Sequence, residues 1–158
     1  MIHNFRSLKT LLFAVVVFNL FVLPVYADDN GLISLKSSYD VKTTIDRLES
    51  VLKEKGMTIF KRVNHTGGAK NVGLKLRPTE LLIFGNPKVG TPLMQCGQSA
   101  AIDLPQKALA WEGDKGQVWL SYNNPDYIAE RHNISGCEKV ISKIKNALNN
   151  FVKKATAN

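Results

Sequence analysis

Two stripes of apolar residues at helical spacing, one toward each end of the chain, constrain this sequence more than any other feature. In the first, Val41, Ile45, Leu48, Val51 and Leu52 recur on one face, and Lys42, Arg47, Glu49, Lys53 and Glu54 fill the other. In the second, Val140, Ile141, Ile144, Leu148, Phe151 and Val152 form the stripe opposite Lys139, Lys143, Asn146, Asn150 and Lys153. A helix with one apolar face must bury it against another element. The residues between the two stripes have to supply that surface.

Those residues read as strands. Gly31 to Lys36 shows weak alternation. From Met57 to His65 one face carries Met57, Ile59, Val63 and His65, with Lys61 breaking the stripe, and Thr66-Gly67-Gly68 ends the strand with turn chemistry. Leu81 to Phe84 is a continuous apolar run that stops at Gly85-Asn86-Pro87, which suits a central strand. Ala108–Glu112 and Gln117–Tyr122 form a hairpin around Gly113 to Gly116, with Val118, Leu120 and Tyr122 on one face and Trp119 on the other. Asp40 caps the first long helix and Gly56 ends it. Thr91-Pro92 starts a brief helix, Asn124-Pro125 starts another that runs to about His132, and Ser135 with Glu138 makes a capping box for the last. Short connections between strands predict an antiparallel sheet. The fold class is therefore α+β, in the order strand, helix, four strands with short helical insertions, helix, with both long helices on one face.

Ahead of this domain stand Arg6 and Lys9, an apolar run from Leu11 to Leu23, and Val25-Tyr26-Ala27. That pattern predicts a cleavable secretory signal over residues 1–27 and a single domain over 28–158. The apolar run is only 13 residues long, against the roughly 20 that a spanning helix needs. After cleavage the chain is expected not to be an integral membrane protein. It keeps 19 basic and 13 acidic side chains, a net +6. The charges are scattered, and the aromatic residues do not interleave with a basic stripe, so nucleic acid is not an expected partner.

Cys96 and Cys137 are the only cysteines. In an oxidising compartment they are candidates for a disulfide, with unpaired structural thiols or a functional thiol as the alternatives. No CxxC, HxxxH, Walker or GxSxG arrangement is present, so no metal, cofactor or catalytic residue is assigned from motifs. His65 and His132, the two histidines of the domain, each lie at an element end, where a side chain is easily presented.

Several segments carry a family resemblance: Asn64-His65, Leu81 to Pro87, Gly90 to Met94, Asp103 to Leu109, Trp119 to Tyr122, and Arg131-His132. In these the sequence resembles the domain of unknown function 302 family, from about Gly31 to Phe151. The resemblance implies a compact α+β domain of the TATA-binding-protein-like or helix-grip type and a bacterial origin, so that export would lead to the periplasm or beyond. It transfers a fold and not an activity. His65, Asn86, Pro87, Asp103 and His132 match the family's polar pattern and are the candidate ligand-binding residues. Cys96 and Cys137 lie outside it. The expected function is a periplasmic small-ligand-binding or accessory module whose partner is a small molecule, a protein or a second copy of the chain. The alternative is a small enzyme or metal-dependent protein using His65 and His132. The strand ends at His65 and at Asn86 are expected to lie close together, with His132 approaching them.

Overall fold

A computed structural model describes residues 30–158; the signal segment predicted over residues 1–27 lies outside them. The first strand, β1 (Leu32–Lys36), leads into α1 (Val41–Glu54), and β2 (Thr58–Asn64) into α2 (His65–Asn71). Then follow β3 (Thr79–Gly85), α3 (Pro87–Cys96), a 3-10 turn (Gln98–Ile102), β4 (Gln106–Glu112) and β5 (Val118–Asn123). The chain closes with α4 (Pro125–Arg131) and α5 (Glu138–Thr156). The strands make one antiparallel sheet in the order β1-β5-β4-β3-β2.

Both long helices cover the same face, as their stripes require. Ile45, Leu48 and Leu52 of α1 and Ile144, Leu148 and Val152 of α5 are buried against Leu82, Phe84, Leu120 and Tyr122. The central strand offers Ala108 and Ala110 on that face, with Gln106 at its start, and the small alanine side chains let the helices approach closely. Just after β1, Ser38 N donates to the Thr156 carbonyl at 3.0 Å, so the two ends of the domain meet. Arg47 exploits this. Its Nε donates to the Ala155 carbonyl at 3.0 Å, and its Nη2 to those of Lys154 and Ala157 at 3.1 and 2.9 Å. These are carbonyls that the end of a helix leaves without intrahelical partners.

Three local expectations are corrected. Thr66-Gly67-Gly68 is not a turn but lies within α2. Asn64 caps that helix by accepting from Gly67 N at 2.7 Å, and Thr66 Oγ1 ties it down by accepting from Thr79 N at 2.8 Å. These bonds offset a glycine cost of about 1 kcal/mol each. Helix α3 starts at Pro87 rather than Pro92, with Asn86 as its cap, so Pro92 falls inside it. The Ser135–Glu138 capping box does not form. Cys137 is the N-cap, and Glu138 accepts from Gly136 N instead. Gly136, at φ +73°, turns the chain there and takes Ser135 out of the capping position. The break in the β2 stripe has a plain cause: a bulge between Ile59 and Lys61 inserts Phe60, so that Arg62 shares the face of Ile59.

Candidate functional site

At the end of the sheet where β3 stops and β4 begins, the helices do not fill the space. A cavity of about 390 Å³ opens there between α3 and the second half of α5. Met57, Phe60, Val89, Met94, Leu104 and Phe151 give it apolar walls. Phe60, the bulged residue, is 53% exposed at its mouth, in line with the tendency of bulges to re-aim side chains beside sites. Gly85 leaves that ring its place, since a Cβ there would lie 3.2 Å from Phe60 Cε2. Polar side chains are few. Lys55 and Thr91 are exposed, Asn86 lies in the wall, and Gln106 is buried at 7% exposure. The Gln106 Oε1 accepts no hydrogen bond from any described residue.

The five predicted residues fall into three places. Asn86 and Pro87 line the cavity. The amide of Asn86 is already committed at both ends, accepting from Lys88 N at 2.9 Å and donating to the Gly56 carbonyl at 3.1 Å. It therefore fixes the wall, holding the start of α3 to the turn after α1.

Asp103 and His132 meet in a second cluster. The His132 ring bonds Asp103 Oδ2 through Nε2 at 2.7 Å and Ser99 Oγ through Nδ1 at 2.9 Å. Arg131 Nη1 reaches Asp103 Oδ1 at 3.3 Å. The His132 and Asp103 side chains are 7% and 13% exposed. Neither His132 nor Ser99 lines the cavity. The cluster joins the 3-10 turn to the end of α4. Close by, Cys96 and Cys137 form a disulfide, with their Cα atoms 6.4 Å apart. Gly97 presses against Ile134 there so closely that a Cβ would lie 2.8 Å from its Cγ1. Disulfide, histidine cluster and glycine contact together clamp α3 and the turn after it to the α4–α5 connection. The apolar cavity lies between the helices so held.

His65 stands apart from both groups. Antiparallel pairing sets Asn64 opposite Glu80 and Thr58 opposite Gly85, so His65 and Asn86 leave opposite ends of the β2–β3 pair, roughly 20 Å apart along the strands. The expected convergence does not occur. His132 belongs to the Asn86 end, through Asp103 and the nearby start of β4. Two ligands of one metal ion each lie about 2 Å from it, so His65 and His132 cannot share one.

Sequence reasoning missed Gln106, Phe60 and Ser99. Gln106 carried a usable signal: it continues the inward alternation of Ala108 and Ala110, where a polar side chain is out of place.

Fold and site define a class: an α+β domain in which two helices grip one face of a five-stranded antiparallel sheet and leave an apolar cavity at one end. The chain belongs to the family described as domain of unknown function DUF302, whose sequence profile matches residues 33–151. It is similar in structure to a crystal structure of an uncharacterised conserved DUF302 protein from Bacillus stearothermophilus. The TM-score is 0.72 at 19% identity, covering 80% of this chain and 98% of that one, a likeness of fold. In sequence it is 49% identical over 106 residues to fluoride-specific ion channel FluC 1 of Brucella suis, covering 67% of this chain and 42% of that protein. The FluC 1 of Brucella abortus matches at the same identity, with 39% of its length covered. The chain thus spans about two fifths of the curated relatives it matches. No helix among the described residues is long and apolar enough to cross a membrane.

Proposed function

We propose that this domain is a small-molecule-binding module that takes an apolar ligand between α3 and α5, and that it works outside the cytoplasm after loss of residues 1–27. The observation that carries the reading is the cavity: about 390 Å³, apolar walls and a few polar groups, within the size and character of small-ligand sites. An oxidising location is supported by the signal-like N-terminus and the paired cysteines. An accessory role is supported by the Brucella relatives, in which a similar stretch is part of a longer chain named as a channel.

The test is an environment-sensitive apolar dye. Wild type should bind it at one site per chain. Ala147→Trp, which projects a ring from α5 into the cavity, should lose that binding while melting within a few degrees of wild type. Equal binding by both proteins refutes the assignment. Fractionation of the host checks the location: the protein should begin at or near Asp28 outside the cytoplasm, and an intact N-terminus on most of it refutes export.

One observation favours a second reading, chemistry centred on His132. Ser99, His132 and Asp103 stand in the order nucleophile, base and orienting carboxylate. Labelling of Ser99 by a fluorophosphonate, lost in His132→Gln, would establish it. Absence of labelling leaves the cluster as a clamp.

A further inference from the structure

Gln106 is the feature of the cavity that the fold does not account for. It pairs with Phe84 at the first position of β4, on the face that Ala108 and Ala110 give to the core. Its side chain lines the cavity, is buried at 7% exposure, and carries an oxygen with no partner among the described residues. Leaving a buried polar group unpaired opposes folding, and an apolar side chain of the same shape would not incur that cost. The other polar groups of the wall are differently placed. Asn86 is used at both ends within the protein. Lys55 is exposed and makes no ion pair among the described residues.

Resting on the binding reading above, we propose that the ligand is an apolar carboxylate whose far end carries a hydroxyl, with the hydroxyl on Gln106 and the carboxylate at Lys55. The chemistry of each end follows from its surroundings. A carboxylate beside Gln106 would be a buried charge facing a neutral amide, which is strongly unfavourable. A ketone or ether there could not donate to the unpaired oxygen. A hydroxyl both donates and accepts, so it suits an amide in either orientation. The charged end belongs where water remains and a cation is free, which is the rim at Lys55. The body between them meets Met57, Met94, Leu104 and Phe151, which offer only apolar contact. The space, about 390 Å³, lies within the range of small-ligand sites and suits a saturated chain of medium length.

The experiment is calorimetric titration of the purified protein with ω-hydroxydecanoate, decanoate and decan-1-ol. Wild type should bind ω-hydroxydecanoate about tenfold more tightly than decanoate, which is about 1.4 kcal/mol. In Gln106→Leu that ratio should fall to one. In Lys55→Gln both carboxylates should weaken several-fold and the alcohol should not, while the ratio between the carboxylates persists. The side-chain amide of Gln106, followed by nitrogen-15 NMR in wild type, should shift with ω-hydroxydecanoate and much less with decanoate; this needs no variant to fold. Equal affinities of the two carboxylates in wild type, or a preference that survives Gln106→Leu, overturn the inference and leave the binding reading in place. Failure of all three probes to bind overturns both.

Discussion

Replacing both cysteines with serine should destabilise the domain by about 4 kcal/mol. The figure comes from chain entropy. The Cys96–Cys137 bond closes a loop of 41 residues, and a crosslink of that span removes about 4 kcal/mol of freedom from the unfolded chain at room temperature. The unfolding entropy of a domain of this size converts the loss to a fall of about 15 °C in melting temperature. Urea unfolding of wild type and Cys96→Ser/Cys137→Ser under non-reducing conditions measures it directly. The slope of free energy against urea should rise in the double variant, because its unfolded chain exposes more surface. Apolar-dye affinity should fall as well, since the bond holds α3, one cavity wall, to the start of α5, the other. A double variant within about 1 kcal/mol of wild type would refute the entropic reasoning. Labelling of both thiols in native wild type would refute the bond itself.

Arg47→Ala should cost about 1–3 kcal/mol in urea unfolding, because it strips charged donors from the last carbonyls of α5. Arg47→Lys should not restore the loss, since an ammonium lacks the fork that reaches three carbonyls. Gly97→Ala should lower stability by about 1–3 kcal/mol by driving a methyl into Ile134, and its cost should shrink in an Ile134→Ala background, which removes the Cγ1 that the methyl meets. Gly90→Ala, inside α3 and with its Cβ in ordinary contact 3.8 Å from Leu104, should instead stabilise by up to about 1 kcal/mol. Asp46 is held below the usual carboxylate range by hydrogen bonds from Lys42 and Arg62. A depressed pKa contributes stability that is present above the unfolded value, about 3.9, and lost as pH falls through the folded one. Wild type should therefore lose more stability than Asp46→Asn on acidification below about pH 4; parallel acid titrations by circular dichroism would show the idea wrong.

What could be read in the sequence was what periodicity and punctuation encode locally. The stripes of α1 and α5, the β4–β5 hairpin, the Pro125 start of α4 and the antiparallel arrangement were all legible. The failures share a cause: a local signal with two local meanings, decided by a distant contact. Two glycines after Asn64 read as a turn, yet Thr66 and the chain before β3 hold them in a helix. Pro87 read as the end of a strand and Pro92 as a helix start, yet Asn86, bonded to Gly56, caps a helix that begins at Pro87. The site was harder still. Polar residues at strand ends were visible, but which end of the sheet each occupies is a property of pairing. The β2–β3 register sends His65 one way and Asn86 the other.

The cavity itself has no sequence motif because four separated stretches build it, around Met57, Asn86, Leu104 and Phe151. What the sequence does hold is the means of keeping those stretches apart. Helix α3 is short, contains Pro92 and packs little apolar surface, with Leu93 its only buried residue. Such a helix has little packing of its own to fix its distance from α5. It is held instead at its two ends, by the Asn86 bridge to Gly56 at one and by the disulfide, Gly97 and the His132 cluster at the other. The Asp103–His132–Ser99 bonds and the cysteine pair are therefore placed where they resist collapse of the wall rather than where they would touch a ligand. On this account the polar pattern and the apolar cavity are one device: the first fixes a helix that cannot fix itself, and the second is the space that this leaves open.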